Sequence, residues 1–230
     1  MRVDKLVEIR ERLKEGLISY HDAYEIIKSM PKPWHEAEWK LDRDLLIKDY
    51  CENCNSSSGP FVLQHTKHPD KFKKVKEQIA LGYLKIEVGD IDAHFKLLMQ
   101  THIKSVVENR YELKPGCPKC KSLSIRSRQS LSPKYVCKCT FSFEEPEIVD
   151  YYPGYCCSGK EKVTEKIYKD DYFFIRKKMI YDYMEENDEV IGRVSLIESI
   201  NQSLEYLSFV NTKTTCKKCA FMEDYHYTFE

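Results

Sequence analysis

The first thirty residues place apolar side chains at the spacing of α-helices. The apolar positions of the first helix are Val3, Leu6, Val7, Ile9, Leu13 and Leu17. Those of a second helix are Tyr24, Ile26 and Ile27. Ser19 or Asp22 can cap this second helix, because a side-chain oxygen there accepts an unpaired amide hydrogen of the first turn. The pattern predicts two short helices, which end before the Pro31-Lys32-Pro33 stretch.

The rest of the chain continues this pattern, with short strands between the helices. Helical spacing predicts helices near residues 35–50, 69–82, 90–110, 160–186 and 192–207. Residues 61–63 are apolar and β-prone, and residues 117–143 form a compact segment of short strands and turns. The predicted fold class is therefore α+β and mainly helical.

Charge and hydropathy limit the partners that the chain can have. The 37 basic and 37 acidic residues cancel, so nucleic-acid binding would have to depend on local basic patches. No apolar run reaches the roughly 18 residues of a membrane span, and the N terminus has no apolar signal core. We therefore expect no membrane partner and a cytoplasmic location; the oligomeric state is left open.

Eight of the ten cysteines occur in close pairs, which in a reducing compartment are typical of metal ligands. Cys117 and Cys120 are followed by Cys137 and Cys139, and a hairpin between the pairs would bring four thiolates to one structural zinc ion. Cys156 or Cys157 could replace one of the second pair, whose spacer is one residue instead of two. A disulfide or a set of buried thiols is the alternative to zinc.

The ribbon segment also carries an excess of positive charge. Residues 113–145 contain seven Lys or Arg side chains and two Glu side chains. Because a closed four-cysteine site leaves no open coordination position, this zinc would build structure and perform no chemistry. The basic hairpin could bind phosphates, or the ribbon could simply be a solvated knuckle that connects two helical parts.

The remaining pairs, Cys51/Cys54 and Cys216/Cys219, are separated by 161 residues. Each pair supplies two ligands where structural zinc requires four, so the two pairs are natural partners for a second zinc ion. The predicted cofactors are therefore two structural zinc ions.

The sequence around these pairs resembles the HNH endonuclease family. The helix predicted near residues 35–50, which contains Trp39, leads to Cys51 and Cys54, and a turn and a strand ending in His65 follow. The segment 212–221, which contains Cys216 and Cys219, resembles the second half of the same motif. The resemblance covers about 45 residues. It implies a ββα-metal zinc framework that is split by an insertion carrying the zinc ribbon and helices.

On this interpretation the chain has five segments. The N-terminal helices occupy residues 1–34, and the HNH-like framework combines residues 35–68 with residues 211–230. The insertion comprises a helical part at 69–112, the zinc ribbon at 113–158 and a second helical part at 159–210.

The resemblance also implies a set of catalytic residues for phosphodiester cleavage. His65 matches the general base, and Gln64 stands where the family usually places an Asp or His that binds a catalytic Mg²⁺ or Mn²⁺. Asp224 lies nearest the second metal-binding position, and His226 lies two residues beyond it. His68 could substitute for the acid that is missing at position 64.

Two hypotheses follow. The first is an HNH-like nuclease that acts on nucleic acid, with DNA favoured over RNA. The second is a non-catalytic zinc-ribbon module that binds DNA, RNA or a protein as a regulator. A further stretch, Tyr172 to Lys178, combines aromatic and basic residues. Its helical spacing favours core packing with a solvated edge over a nucleic-acid surface.

Overall fold

The computed structural model describes residues 2–227 and the side chains of residues 2–223. Within this range the chain forms eight α-helices and eight short strands. The helices are α1 (Arg2–Lys14), α2 (Tyr20–Ser29), α3 (Ala37–Leu46), α4 (Phe72–Val88), α5 (Ile91–Asn109), α6 (Lys160–Glu186), α7 (Asp188–Leu207) and α8 (Lys217–Tyr227). The strands are β1 (Phe61–His65), β2 (Glu112–Gly116), β3 (Ile125–Ser127), β4 (Tyr135–Cys137), β5 (Ser142–Phe143), β6 (Glu147–Tyr152), β7 (Cys157–Ser158) and β8 (Thr212–Cys216). The predicted α+β, mainly helical class is confirmed.

The chain folds into two compact units. The first unit combines both ends of the chain, up to Tyr83 and from Tyr183 onward. The second unit comprises Leu84–Asp182. The division falls within α4 and within α6, and each unit contains one group of four cysteines.

The core of the first unit is formed by α1, α2 and α7. Gly192 on α7 is required by this packing, because a Cβ atom there would lie 2.5 Å from the ring of Tyr20. The buried members of the core are Leu6, Ile9, Leu13, Tyr20, Ala23, Leu196 and Ile200.

The same unit contains a two-stranded antiparallel sheet of β1 and β8. Phe61 lies opposite Cys216 and His65 lies opposite Thr212, so two segments far apart in the sequence form one ribbon. Because α8 begins at Lys217, directly after β8, the order in space is strand, strand, helix.

The second unit contains two three-stranded antiparallel sheets. One has the order β2-β6-β7, and the other, which carries the second cysteine group, has the order β3-β4-β5. Gly116 at the end of β2 accommodates the close approach of Val149, since a Cβ atom would lie 2.7 Å from that side chain. Pro115 and Gly116 thus belong to a strand.

Most predicted helices agree with the structure, and the differences have local causes. Ser19 is the N-cap of α2 and accepts a hydrogen bond from the amide of Asp22. Helix α3 ends at Leu46 instead of near residue 50, because the amide of Lys48 donates to Thr214 Oγ1 and so leaves the helical pattern. Helix α4 continues past Gly82 and ends before Gly89, whose φ of +73° suits a glycine after a helix.

The expectation that the apolar residues of the Tyr172–Lys178 stretch are core residues was wrong at two positions. Phe173 is 79% exposed and Phe174 is 64% exposed. Tyr172 and Ile175 are half-buried. Adjacent residues on a helix point about 100° apart, so one helix face cannot bury four consecutive side chains. None of the described helices is both long enough and apolar enough to cross a bilayer.

Candidate metal centres and the strand–strand–helix unit

The first cysteine group consists of Cys51, Cys54, Cys216 and Cys219, whose Sγ atoms all lie within 4.8 Å of one another. The antiparallel pairing of β1 with β8 brings the two pairs together, since Cys216 lies at the end of β8. The backbone around Cys51 continues this pairing, because the amide of Glu52 donates to the carbonyl of Thr214 at 2.8 Å. The group could hold a metal ion.

The second cysteine group consists of Cys117, Cys120, Cys137 and Cys139, again within 4.8 Å of one another. The Sγ atoms of Cys120 and Cys137 are 3.5 Å apart, and those of Cys117 and Cys139 are 3.8 Å apart. Cys156 and Cys157, which the sequence left as possible substitutes, are not members of this group. The one-residue spacer between Cys137 and Cys139 is therefore compatible with a four-thiol site.

The first cysteine pair of each group lies in a backbone turn of the same geometry. In each, the first cysteine accepts a hydrogen bond from the amide four residues later, at 2.8 Å from Asn55 to Cys51 and 2.9 Å from Lys121 to Cys117. Asn55 and Lys121 both have a left-handed φ, of 55° and 59°. The turn exposes the amides around each thiol, which is the environment that stabilises a thiolate.

The Cys137–Cys139 turn is a shortened version of this arrangement. The amide of Thr140 donates to the carbonyl of Cys137 at 2.9 Å, and Thr140 has a φ of 71°. The left-handed residue thus follows the second cysteine directly, as it does in the longer turns. One residue has been removed from the spacer while the closing geometry is kept.

The thiol protons are distributed unevenly in both groups. Burial opposes ionisation of Cys51, but hydrogen bonds from the backbone amides of Cys216, Cys54 and Asn53 lower its pKa to about 6. The amide of Phe141 contributes most to lowering the pKa of Cys139, to about 7. The hydrogen bond with Cys216, with burial, raises the pKa of Cys219 to about 12. Each group can therefore lose one proton easily and retains another until a cation replaces it.

The donor set fits a tetrahedral ion that prefers sulfur. Ligand bonds of about 2.3 Å at tetrahedral angles place sulfur atoms about 3.8 Å apart. The measured Sγ–Sγ distances of 3.5, 3.8 and 3.9 Å agree with that value. Four thiols close the coordination shell, so either group suits a structural ion such as zinc and leaves no position for a reacting water.

His65, the residue that the HNH resemblance assigns as general base, lies in an aromatic environment and is only 8% exposed. Its ring stacks on Tyr206, with centroids 3.7 Å apart, and lies 5.6 Å from Phe209. Both ring nitrogens are buried without a hydrogen-bond partner in the described part of the chain. Burial, with a smaller contribution from His68, lowers the pKa of His65 to about 4. The imidazole is therefore neutral and covered.

His68 is exposed, and its ring centroid lies 6.2 Å from that of His65 in a tilted arrangement. Neither histidine belongs to a metal-capable group of three or more His, Cys, Asp or Glu side chains among the described residues. The side chains of Asp224 and His226 lie outside the described residues. The proposed catalytic set of His65, His68, Asp224 and His226 therefore remains a prediction.

The opposite face of β1 is directed toward α8. Gln64 Nε2 lies 3.5 Å from the carbonyl of Ala220 on α8, and Gln64 Oε1 lies 3.3 Å from Thr215 Oγ1. Lys213, which pairs with Gln64 across the sheet, forms an ion pair with Glu223 of α8 at 2.5 Å. Asn53 of the first cysteine turn donates to the same carboxylate at 2.7 Å. An ammonium group thus lies between β8 and α8 and is paired with this carboxylate.

Sequence analysis assigned no role to Lys213 or to Tyr206. Lys213 can be recognised only when the register of β8 against β1 is known, because that register places it opposite Gln64. Tyr206 lies on α7 and contacts His65 through tertiary packing. Glu223 follows the last cysteine by four residues, which places it one helical turn away and could have predicted its contact with the Cys51–Cys54 turn.

The ribbon of the second unit presents exposed basic side chains. Arg126 on β3 and Lys138 in the short cysteine turn are exposed, and neither has a carboxylate partner within the described residues. Lys119 Nζ lies 5.8 Å from the centroid of Phe141, a ring that is 39% exposed. Lys134 Nζ lies 5.6 Å from the centroid of Tyr135. Positive charge and aromatic surface are therefore adjacent on this ribbon.

A cavity of about 680 Å³ borders the turn that carries Cys117 and Cys120. Its lining includes four lysines at the ribbon and at the start of α6: Lys119, Lys121, Lys160 and Lys162. Lys121 is paired with Glu147, whereas Lys162 donates to the carbonyl of Cys120 at 3.0 Å. Glu147, Asp150 and Glu161 also line the cavity, so the second cysteine group borders a cavity with side chains of both charges.

These features define a mainly helical α+β protein with two four-cysteine sites. Comparisons of the chain with protein-family models, with curated proteins and with solved structures gave no match.

Proposed function

We propose that the chain is a zinc-stabilised nucleic-acid-binding protein whose contact surface is the basic ribbon of the second unit. The carrying observation is that Arg126 and Lys138 are exposed and have no carboxylate partner among the described residues, on the same ribbon as the exposed ring of Phe141. Unpaired cations release counterions when they bind phosphates, and an exposed aromatic ring can contact a base or sugar.

Zinc is the ion proposed for both cysteine groups. Thiolates select soft or borderline ions, and a closed tetrahedral set is typical of structural zinc. Elemental analysis of reduced protein should give two zinc ions per chain. A value of one or none would contradict the proposed content.

In the first unit, we propose that the β1–β8–α8 arrangement is an HNH-like framework that no longer hydrolyses nucleic acid. Gln64 is a neutral ligand, and the Glu223 carboxylate of α8 is already engaged by the ammonium group of Lys213. His65 is covered by Tyr206, so a water molecule has no direct path to its nitrogens. The framework then links the two chain segments that form the first unit.

Binding can be tested by titrating labelled DNA and RNA with the full chain at several salt concentrations. Each lost phosphate contact lowers the slope of log K against log salt by about 0.9 on duplex DNA. Arg126→Gln with Lys138→Gln should therefore reduce the slope by about 2. The control, Lys85→Gln with Lys104→Gln, removes the same charge from exposed positions on α4 and α5 and should leave the slope near the wild-type value. Equal slopes for all three proteins would contradict a ribbon contact surface.

An active HNH-like nuclease is the second candidate. It is favoured by the strand–strand–helix order, with a cysteine pair before β1, a second pair at the start of α8, and His65 at the end of β1. The test is cleavage of plasmid DNA, the favoured substrate, and of RNA with Mg²⁺ or Mn²⁺. If His65 is a general base, His65→Ala should lower the rate by about 10²–10⁴-fold while zinc content is kept. Absence of cleavage by the wild-type protein with either ion would reject this candidate and leave the binding proposal intact.

A further inference from the structure

Helix α6 carries two adjacent phenylalanines that face solvent. Phe173 is 79% exposed and Phe174 is 64% exposed, so the pair presents far more apolar surface than an isolated surface residue. The buried side of the helix is supplied by other positions, among them Val163, Ile167 and Met179. The two rings are therefore not required for the packing of α6.

The ring of Phe173 nevertheless packs against another aromatic ring of α6. It meets Tyr172 edge to face, with centroids 5.3 Å apart. Tyr172 in turn packs edge to face on Phe95 of α5 at 4.9 Å, and Phe95 is buried. This chain of aromatic contacts fixes an exposed ring on a rigid helix, which reduces the entropy that a ligand would lose by ordering it.

Basic side chains flank the two rings along the helix surface. Lys169 and Lys177 lie one turn before and one turn after Phe173, and Arg176 lies beside Lys177. Among the described residues none of the three is paired with a carboxylate. The neighbouring lysines differ, because Lys166 pairs with Asp170 at 2.9 Å and Lys178 with Asp182 at 2.5 Å.

The remaining acid near the rings is already engaged. Asp171 Oδ2 accepts from Tyr155 at 2.6 Å and lies 2.7 Å from His102 Nε2. The surface made by Lys169, Phe173, Phe174, Arg176 and Lys177, named here the aromatic-basic stripe, thus combines net positive charge with two exposed π-faces.

We infer that the aromatic-basic stripe is a binding surface for single-stranded nucleic acid. Unpaired bases stack on Phe173 and Phe174, and the phosphates between them contact Lys169, Arg176 and Lys177. Base–aromatic stacking needs no sequence preference, because every base has a π-face. In a duplex the bases are stacked on each other, so the stripe discriminates strands by accessibility. This inference rests on the proposed nucleic-acid-binding function and adds a strand preference to it.

A second copy of the chain fits the stripe less well. In a two-fold pairing of antiparallel helices centred on Phe173, Lys169 of one copy meets Lys177 of the other at both ends. Like charges in direct contact oppose such a pairing. Phosphates at the same positions would neutralise the lysines, so the charge pattern favours a polyanion.

The test compares binding of the full chain to a 20-nucleotide oligothymidine, the matching RNA and a duplex of equal length. Phe173→Ala with Phe174→Ala should weaken single-strand binding at least tenfold and change duplex binding less than twofold. Alanine keeps the helix intact because it is the best helix former. The control, Ile86→Ala with Leu97→Ala, removes two other exposed apolar side chains and should leave both affinities near wild type.

Two further variants separate stacking from general apolar contact. Phe173→Trp keeps an aromatic face and should retain single-strand affinity, whereas Phe173→Leu keeps apolar surface and should lose several-fold. Equal affinities for the Trp and Leu variants would overturn the stacking assignment. Sedimentation of the wild type and of the double variant reports whether the rings instead join two copies; a dimer that the double variant dissociates would also overturn the inference.

The outcomes distinguish this inference from the proposed function. Unchanged single-strand binding in Phe173→Ala with Phe174→Ala, together with a reduced salt slope in Arg126→Gln with Lys138→Gln, would reject the stripe and keep the ribbon. Failure of the wild type to bind any of the three nucleic acids would reject both. The expected result is that Phe173→Ala with Phe174→Ala loses single-strand binding while its zinc content is unchanged, and that the control Ile86→Ala with Leu97→Ala keeps both.

Discussion

The two cysteine groups use the same donors and the same cysteine turn, yet they close loops of very different length. In the second group Cys117 and Cys139 are 22 positions apart, whereas Cys54 and Cys216 in the first are 162 positions apart. The entropy lost on loop closure grows with the logarithm of loop length, so the long loop costs only about 2 kcal/mol more. The larger difference is structural, because the first group needs β1 and β8 to pair before its ligands can meet.

This contrast indicates that the groups have different roles in folding. The second group closes within one hairpin and can form as soon as β3, β4 and β5 pair. The first group connects the segment before β1 to the end of β8 and the start of α8, so it links the two chain segments that form the first unit. We expect loss of the first group to affect more of the molecule than loss of the second.

The largest expected effect comes from removing one ligand of each group in turn. Cys216→Ser should lower the zinc content from two to one and cost several kcal/mol of stability in the first unit, because metal-binding free energy is largely folding free energy. Cys117→Ser should also remove one zinc but leave amide-exchange protection of α1, α2 and α7 unchanged. Cys156→Ser is the matched control and should change neither quantity. Equal loss of amide-exchange protection in α1 for both ligand variants would contradict the proposed difference between the two cysteine groups.

A smaller effect is expected from His65, which makes the stability of the first unit depend on pH without being a ligand of its cysteine group. Because burial lowers the pKa of His65 to about 4 from an ordinary 6.5, the unfolded chain binds a proton more readily than the folded one. Stability from neutral His65 is complete above about pH 6.5 and falls as the pH drops toward 4, by about 2 kcal/mol between pH 7 and pH 5.

His65→Phe should remove this pH dependence. It should also raise the free energy of unfolding at pH 7 by about 1–3 kcal/mol, since two buried nitrogens without partners are replaced by carbon. The measurement is denaturant unfolding of both proteins at pH 5 and pH 7, compared at each pH so that metal loss cancels. His68→Ala is the control, because His68 is exposed. A variant that is less stable than wild type at pH 7 would show that His65 has a partner in solution.

The smallest expected effect concerns the link between α8 and the first cysteine turn. Burial opposes ionisation of Glu223, but hydrogen bonds from Lys213 and Asn53 lower its pKa below the ordinary value. Its contribution is therefore present above its ordinary pKa and is lost as the pH falls through the lowered one. Glu223→Gln should cost about 1 kcal/mol at pH 7 and nothing at pH 2. Glu145→Gln, at an exposed position on the ribbon, should cost nothing at either pH.

The elements and both cysteine groups follow from local features of the sequence. Helical spacing of apolar residues predicted α1, α2, α5 and α6, since the side chains that pack on a neighbour must recur every three or four positions. The pairing of Cys117 with Cys137 follows from a hairpin between them. The partnership of Cys51 with Cys216 could be predicted as well, because an isolated pair leaves a four-ligand site half complete.

Tertiary structure alone decided the environment of each candidate catalytic residue. His65 lies where the strand pattern places it, but its burial depends on Tyr206 and Phe209, which reach it from α7 and the following turn. Lys213 lies opposite Gln64 because of the register of β8 against β1, and register is not fixed by a strand's own sequence. Phe173 and Phe174 are exposed because other residues of α6 supply its buried side. Residue spacing determined which thiols could share a metal ion, whereas long-range packing determined which rings and charges remained accessible to a ligand.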